Sequence, residues 1–251
     1  MTRHPLPLPR THRTKGPGAM ERTRLRRGAA LTLLLATALL TGCQQGDGDG
    51  GSSASDAGTG KAAGPVSVSA LRAAADKVGP DGADDCPLPY DIARAAKAAG
   101  LSGETGAGAA AGGDADASAV TAENGRGTEG PGGFAANPGA LVSCLFHVGA
   151  GTVEVHTIAA ESASAENLLA PVIMAAGGFS TEQLTAYLKR TGTGAPGEAV
   201  ASENGDCVTV RVKPTDGGDA SLVVTAGEAG RPGPGREKLS GLALALHAQL
   251  A

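Results

Sequence analysis

Two long stretches of this chain contain almost nothing that can be buried, and they limit how much of it can fold. From Gln44 to Gly64 the residues are mostly Gly, Ser, Asp and Ala, so burial cannot offset the entropy lost on ordering them. Residues 102–137 show neither helical nor strand periodicity and carry few bulky apolar side chains. Structureless loops of that length are uncommon inside compact domains unless they are insertions. Of 251 residues, the rest suffices for one domain of ordinary size. The expectation is a single domain over 65–251, interrupted by a low-complexity insertion at 102–137 that loops out.

Composition removes several functions. The formal net charge is -4, and no Lys/Arg block follows the first thirty residues, so the electrostatic footprint of a nucleic-acid binder is missing. Aromatics make up 2% of the chain, as Tyr90, Phe134, Phe146, Phe179 and Tyr187. Stacking platforms for bases, or for sugars, are therefore scarce. The core must be built from Leu, Val, Ile and Ala.

The amino-terminal segment "MERTRLRRGAALTLLLATALLTGC" places Arg22, Arg24, Arg26 and Arg27 before an apolar run from Gly28 to Leu40. This is the layout of an export signal, with a basic region, a short apolar region and a small-residue cleavage site. The run falls short of the about 20 apolar residues that cross a bilayer. Residues 1–42 are read as the signal peptide, with 1–19, upstream of Met20, either a start-site artefact or a long basic region. The Arg26-Arg27 pair lacks bulky apolar residues after it, which favours ordinary secretion over twin-arginine export.

Leu40, Thr41, Gly42 and Cys43 resemble the lipobox of bacterial lipoproteins. The resemblance implies diacylglycerol on the Cys43 thiol, cleavage between Gly42 and Cys43, and a mature chain held on the extracytoplasmic face of the cell membrane. Each buried methylene contributes about 0.8 kcal/mol, and two acyl chains anchor stably where one does not. Residues 43–64 then read as a lipidated flexible tether that holds the domain about 25 Å from the bilayer.

Within 65–251 the periodicities predict α, α, β, β, α, β, β, α. Leu71, Ala74, Ala75 and Val78 share a helical face after Ser67 or Ser69, and Ile92, Ala95, Ala96 and Ala99 share another. "ALVSCLFHVGAGTVEVHTIA" is two alternating runs about a glycine-rich turn, the mark of a hairpin. With Ala150 and Gly151 as turn residues, Val148 faces Val153 and Phe146 faces Val155. Leu145, His147, Glu154 and His156 then share the opposite face. A helix kinked near Pro171 follows, then a shorter one opened by a capping box of Ser180 and Gln183. Two strands, "EAVASENGDCVTVRVKP" with a turn at 204–206 and "ASLVVTAG", precede a closing helix lined by Leu239, Leu242, Leu246 and Leu250. The expected fold class is α+β, an antiparallel sheet of about four strands with helices packed on one face.

With Cys43 lipidated, three cysteines remain, an odd number for an oxidising compartment. Cys144 is in phase with Phe146 and Val148, whereas Cys207 is out of phase with Val208 and Val210. Thiols on opposite sheet faces cannot meet, because bridged Cα atoms lie within about 7 Å. This favours a Cys86–Cys144 disulfide and leaves Cys207 unpaired or linked between chains; a bulge in its strand would reverse the choice. A cysteine before a helix and another in the first strand of a small sheet resembles small α+β lipoproteins of actinobacterial type.

The sharpest chemical candidate is a zinc site of His147, Glu154 and His156, which the hairpin register above gathers on one face. Alternating polar residues are also what a solvated sheet face displays. There is no G-x-S-x-G, phosphate loop, H-E-x-x-H or C-x-x-C. The expected function is a non-enzymatic binding or accessory module at the cell envelope. It would need no cofactor and no nucleic acid, would be held by its lipid anchor, and would meet an envelope protein or small ligand. A zinc-dependent envelope enzyme and a structural envelope spacer are the alternatives.

Overall fold

In a computed structural model, residues 65–109, 119–123, 133–226 and 233–250 are described. All belong to one of two compact units, Ser55–Ala251. The expectations for the signal at 1–42, for Cys43 and for the tether fall outside the described residues.

The helices begin where their caps dictate. In α1 (Val68–Ala75) the Ser67 hydroxyl accepts the Ala70 N–H at 2.9 Å, and in α2 (Ile92–Ala98) the Asp91 carboxylate accepts the Arg94 N–H at 2.8 Å. Each satisfies a donor that the helix cannot. A single turn, α3, spans Gly133–Ala136. Next comes a 3-10 turn at Ala165–Leu169 that runs into α4 (Ala170–Gly177), with Pro171 in the first turn of α4, where its missing N–H costs nothing. Gly178, at φ 61°, ends α4 in the left-handed conformation that favours glycine. The Ser180–Gln183 capping box opens α5 (Thr181–Thr193), which is longer than α4. The chain closes with α6 (Arg236–His247).

The strands are β1 (Thr105–Ala107), β2 (Ala119–Glu123), β3 (Gly139–Val148), β4 (Gly151–Ala160), β5 (Ala199–Ala201), β6 (Cys207–Val212) and β7 (Asp219–Ala226). They form one open antiparallel sheet in the order β1-β3-β4-β7-β6-β5, and β2 also pairs with β3. β1 lies along the hairpin end of β3 and β2 along its start, so the sheet is six strands wide. The fold is α+β, with three departures from expectation. Residues 102–137, expected to loop out, contribute β1, β2 and α3. The strand expected within 198–214 is a hairpin, β5 and β6, turned through Gly205 at φ 81°.

The third departure concerns the layers, because helices cover both faces rather than one. Val142, Cys144, Phe146, Val155, Val208, Val210, Leu222 and Val224 share a core with α1, α2 and α6. Leu141, Ile158, Cys207 and Val223 point the other way, into a second core with the 3-10 turn, α4 and α5. All eight residues of β7 are buried, as befits a strand covered on both sides. No helix among the described residues is long and apolar enough to cross a membrane.

Cys86 and Cys144 form a disulfide with Cα atoms 5.4 Å apart, across 58 residues of sequence. It fastens the segment before α2 to β3 within the first core. Closing a loop of that length stabilises the fold by about 4 kcal/mol in the chain-entropy account. Cys207 is a free thiol, fully buried in the second core.

Candidate functional site

Ser143, His147, Thr152, Glu154 and His156 lie on the face of the second core, as the alternation of the β3–β4 hairpin requires. Their pairing differs from expectation. The two turn residues are Gly149 and Ala150, so Val148 pairs with Gly151 and Phe146 with Val153. Gly149 has φ 61° and takes the first central position, where a type II′ turn favours glycine. The two-residue shift keeps every side chain on its face but changes its neighbours. His147 now pairs with Thr152, Leu145 with Glu154, and Ser143 with His156.

The expected set of His147, Glu154 and His156 is corrected accordingly. Glu154 and His156 approach, with Oε2 3.3 Å from Nε2. His147 instead lies over Gly106 of β1, where even a Cβ would come within 2.7 Å of its ring. Among the described residues no group of three or more His, Cys, Asp or Glu side chains is placed to hold a metal ion.

What the register assembles is a chain of three side chains that includes Ser143, a residue the sequence reading passed over. The Ser143 hydroxyl lies 2.8 Å from His156 Nδ1, and the Glu154 carboxylate faces the other ring nitrogen. His156 is buried and Glu154 exposed. The Nε2 contact is an ion-pair distance without hydrogen-bond geometry, since that nitrogen has no hydrogen-bond partner. The His156 side chain holds the Glu154 carboxyl below the usual range, against the upward push of burial. Ser143 is in phase with Leu145 and His147, so the correct turn would have placed it opposite His156.

Hydroxyl, imidazole and carboxylate in this order resemble a nucleophile, its base and an orienting acid. Acyl transfer also needs backbone N–H groups aimed at a developing oxyanion. Ser143 sits in mid-strand between β2 and β4, where the N–H groups are spent in the ladder. Of these three side chains, the Glu154 carboxylate is the one exposed at the surface.

Cys207 is unsuited to chemistry. Burial pushes its thiol up to about 12, with a small opposing effect from the Tyr187 hydroxyl, whose oxygen lies 3.9 Å from the sulfur. The reactive form is the thiolate, so this sulfur is inert at neutral pH.

No protein-family model matches the chain, and no curated protein or solved structure is significantly similar to it.

Proposed function

We propose that this chain is a lipid-anchored extracytoplasmic module that binds an envelope protein or small ligand and has no catalysis of its own. The disulfide between Cys86 and Cys144 carries the reading, because such bonds persist in oxidising compartments outside the cytosol. It agrees with the export signal and with the lipobox ending in Cys43. The exposed Glu154 carboxylate, beside His156, is the contact we assign to a positively charged group on the partner.

The test is incorporation of labelled palmitate in cells that make the wild-type chain or Cys43→Ala. Acylated wild-type protein in the membrane fraction, and unacylated variant released from it, is the expected result. An unacylated wild-type chain in the cytosol, with Cys86 and Cys144 reduced, overturns the proposal. Surface crosslinking of the wild type and Glu154→Gln then identifies the partner: the partner crosslinked to wild type should be depleted in the variant.

A further inference from the structure

At the end of the second core, away from the β3–β4 turn, two carboxylates are buried beside one guanidinium. Glu166, in the 3-10 turn, is 1% exposed, and Asp219, opening β7, is 4% exposed. Arg211 of β6 donates through one terminal nitrogen to Asp219 at 2.9 Å and through the other to the carbonyls of Gly192 (3.2 Å) and Gly194 (3.1 Å). Its hydrogen bonds go to Asp219 and to α5, and none goes to Glu166.

Asp219 has a second task. Its other oxygen accepts the Ala165 N–H at 2.9 Å, supplying the anion at the start of the 3-10 turn that Ser164 does not, since Ser164 makes no capping bond. Asp219 is thus committed as a carboxylate. Glu166 has the Ser221 hydroxyl at 3.5 Å, and its Oε1 would lie 3.2 Å from a Cβ at Gly192. Ser164 enters the turn at φ 68°, the one non-glycine residue with positive φ among those described, a conformation that surrounding contacts must hold in place.

Charge counting decides the protonation state. Two buried anions cannot both be balanced by one cation that is already paired with Asp219, so one acid keeps its proton. We propose that Glu166 retains its proton at neutral pH and that this neutral acid, against Asp219, latches the 3-10 turn and α4 to the sheet, so that rising pH loosens the segment 165–177. Burial raises the Glu166 carboxyl first of all, and the Asp219 charge and hydrogen bonding to it raise it further. Its own backbone N–H and the Arg211 charge oppose this in part.

No other charge on the packed elements competes. β4 from Thr157 to Ala160 and all of α4 lack titratable side chains, and buried His156, further along the same face of β4, is engaged with Ser143. On α5, Glu182, Lys189 and Arg190 are exposed, while buried Tyr187 is engaged with Val200 and Thr209. Cys207, the other titratable residue of β6, lies by Tyr187.

Because the folded pKa lies above the unfolded value of 4.5, the stabilisation is complete below 4.5 and is lost as pH rises through the folded value. The latch rests on none of the arguments about membrane address. Its test is urea unfolding of the full chain, wild type and Glu166→Gln, from pH 4 upward, with infrared difference spectra at neutral pH. Glutamine copies the protonated acid but cannot ionise.

The expected result has three parts: a protonated-carboxyl band in wild type that Glu166→Gln lacks; a wild-type unfolding constant that grows relative to the variant's by about tenfold per pH unit across the window; and a loss of hydrogen-exchange protection in 165–177 at alkaline pH, relative to intrinsic exchange rates, in wild type and not in Glu166→Gln. Asp219→Asn, which removes the neighbouring charge, should move the window to lower pH. Parallel pH profiles for wild type and Glu166→Gln, or a spectrum without the neutral-acid band, overturn the proposal.

Discussion

The Asp216 carboxylate, in the turn between β6 and β7, accepts the backbone N–H of Val68 at 3.1 Å, and with its other oxygen that of Ser69 at 3.3 Å. These are the first two residues of α1, so one acid 148 positions away in sequence satisfies helix donors that the Ser67 cap leaves open. Slight burial pushes this carboxyl up, but the two N–H groups, its own backbone N–H and the Ser69 hydroxyl together outweigh that and hold it below the usual range.

Asp216→Ala is expected to lower stability by about 1 kcal/mol, the usual size of a lost cap, seen as a lower urea midpoint with unchanged slope. The native value lies below the unfolded 3.8, so this stabilisation is present above 3.8 and disappears as pH falls through the native value. The gap between wild type and Asp216→Asn should therefore close on acidification.

Removing the disulfide with Cys86→Ala and Cys144→Ala in a Cys43→Ser background is expected to cost about 2–4 kcal/mol. Thiol titration of the Cys43→Ser parent should find no fast-reacting group in the native state and one, Cys207, in urea. A reactive thiol in the native protein would contradict both the bond and the burial of Cys207.

His156→Gln is expected to return the Glu154 carboxyl toward its ordinary range, read by NMR titration. Glu154 is half exposed, with 53% of its side chain accessible, so solvent screens the pair, whose own contribution to stability should be at most about 1 kcal/mol. Any such contribution is lost as pH falls through the depressed Glu154 value.

Tyr187 is fully buried, and its hydroxyl donates to the Val200 carbonyl at 2.8 Å and lies 3.0 Å from the Thr209 hydroxyl. Tyr187→Phe keeps the ring but removes the donor for β5, for an expected loss of about 1–2 kcal/mol in urea unfolding. Phe179, with its ring centroid 5.0 Å from that of Tyr187, should keep its packing.

Legibility in the sequence followed the range of the interaction. The Ser180–Gln183 box, the Pro171 break and the opposite phases of Cys144 and Cys207 are set within a few residues, and each is found in place. The hairpin register required a choice between two neighbouring glycines, and the left-handed Gly149 makes it. That choice separates His147 from Glu154 and brings Ser143 to His156. β1 and β2 gave no periodic signal because short strands along the edge of β3 are formed by backbone pairing, to which side-chain pattern contributes little.

What the amino-acid order determined by itself was local: where most helices begin, which strand residues share a face, and that Cys144 and Cys207 point to opposite faces of the sheet. Tertiary structure alone decided that both faces of the sheet are covered, that Asp216 caps a helix at the far end of the chain, and that Glu166 is buried with the Arg211–Asp219 pair. Periodicity tells which side chains must leave water, but the surface that covers them is chosen by burial against distant segments, and no window of sequence contains that choice.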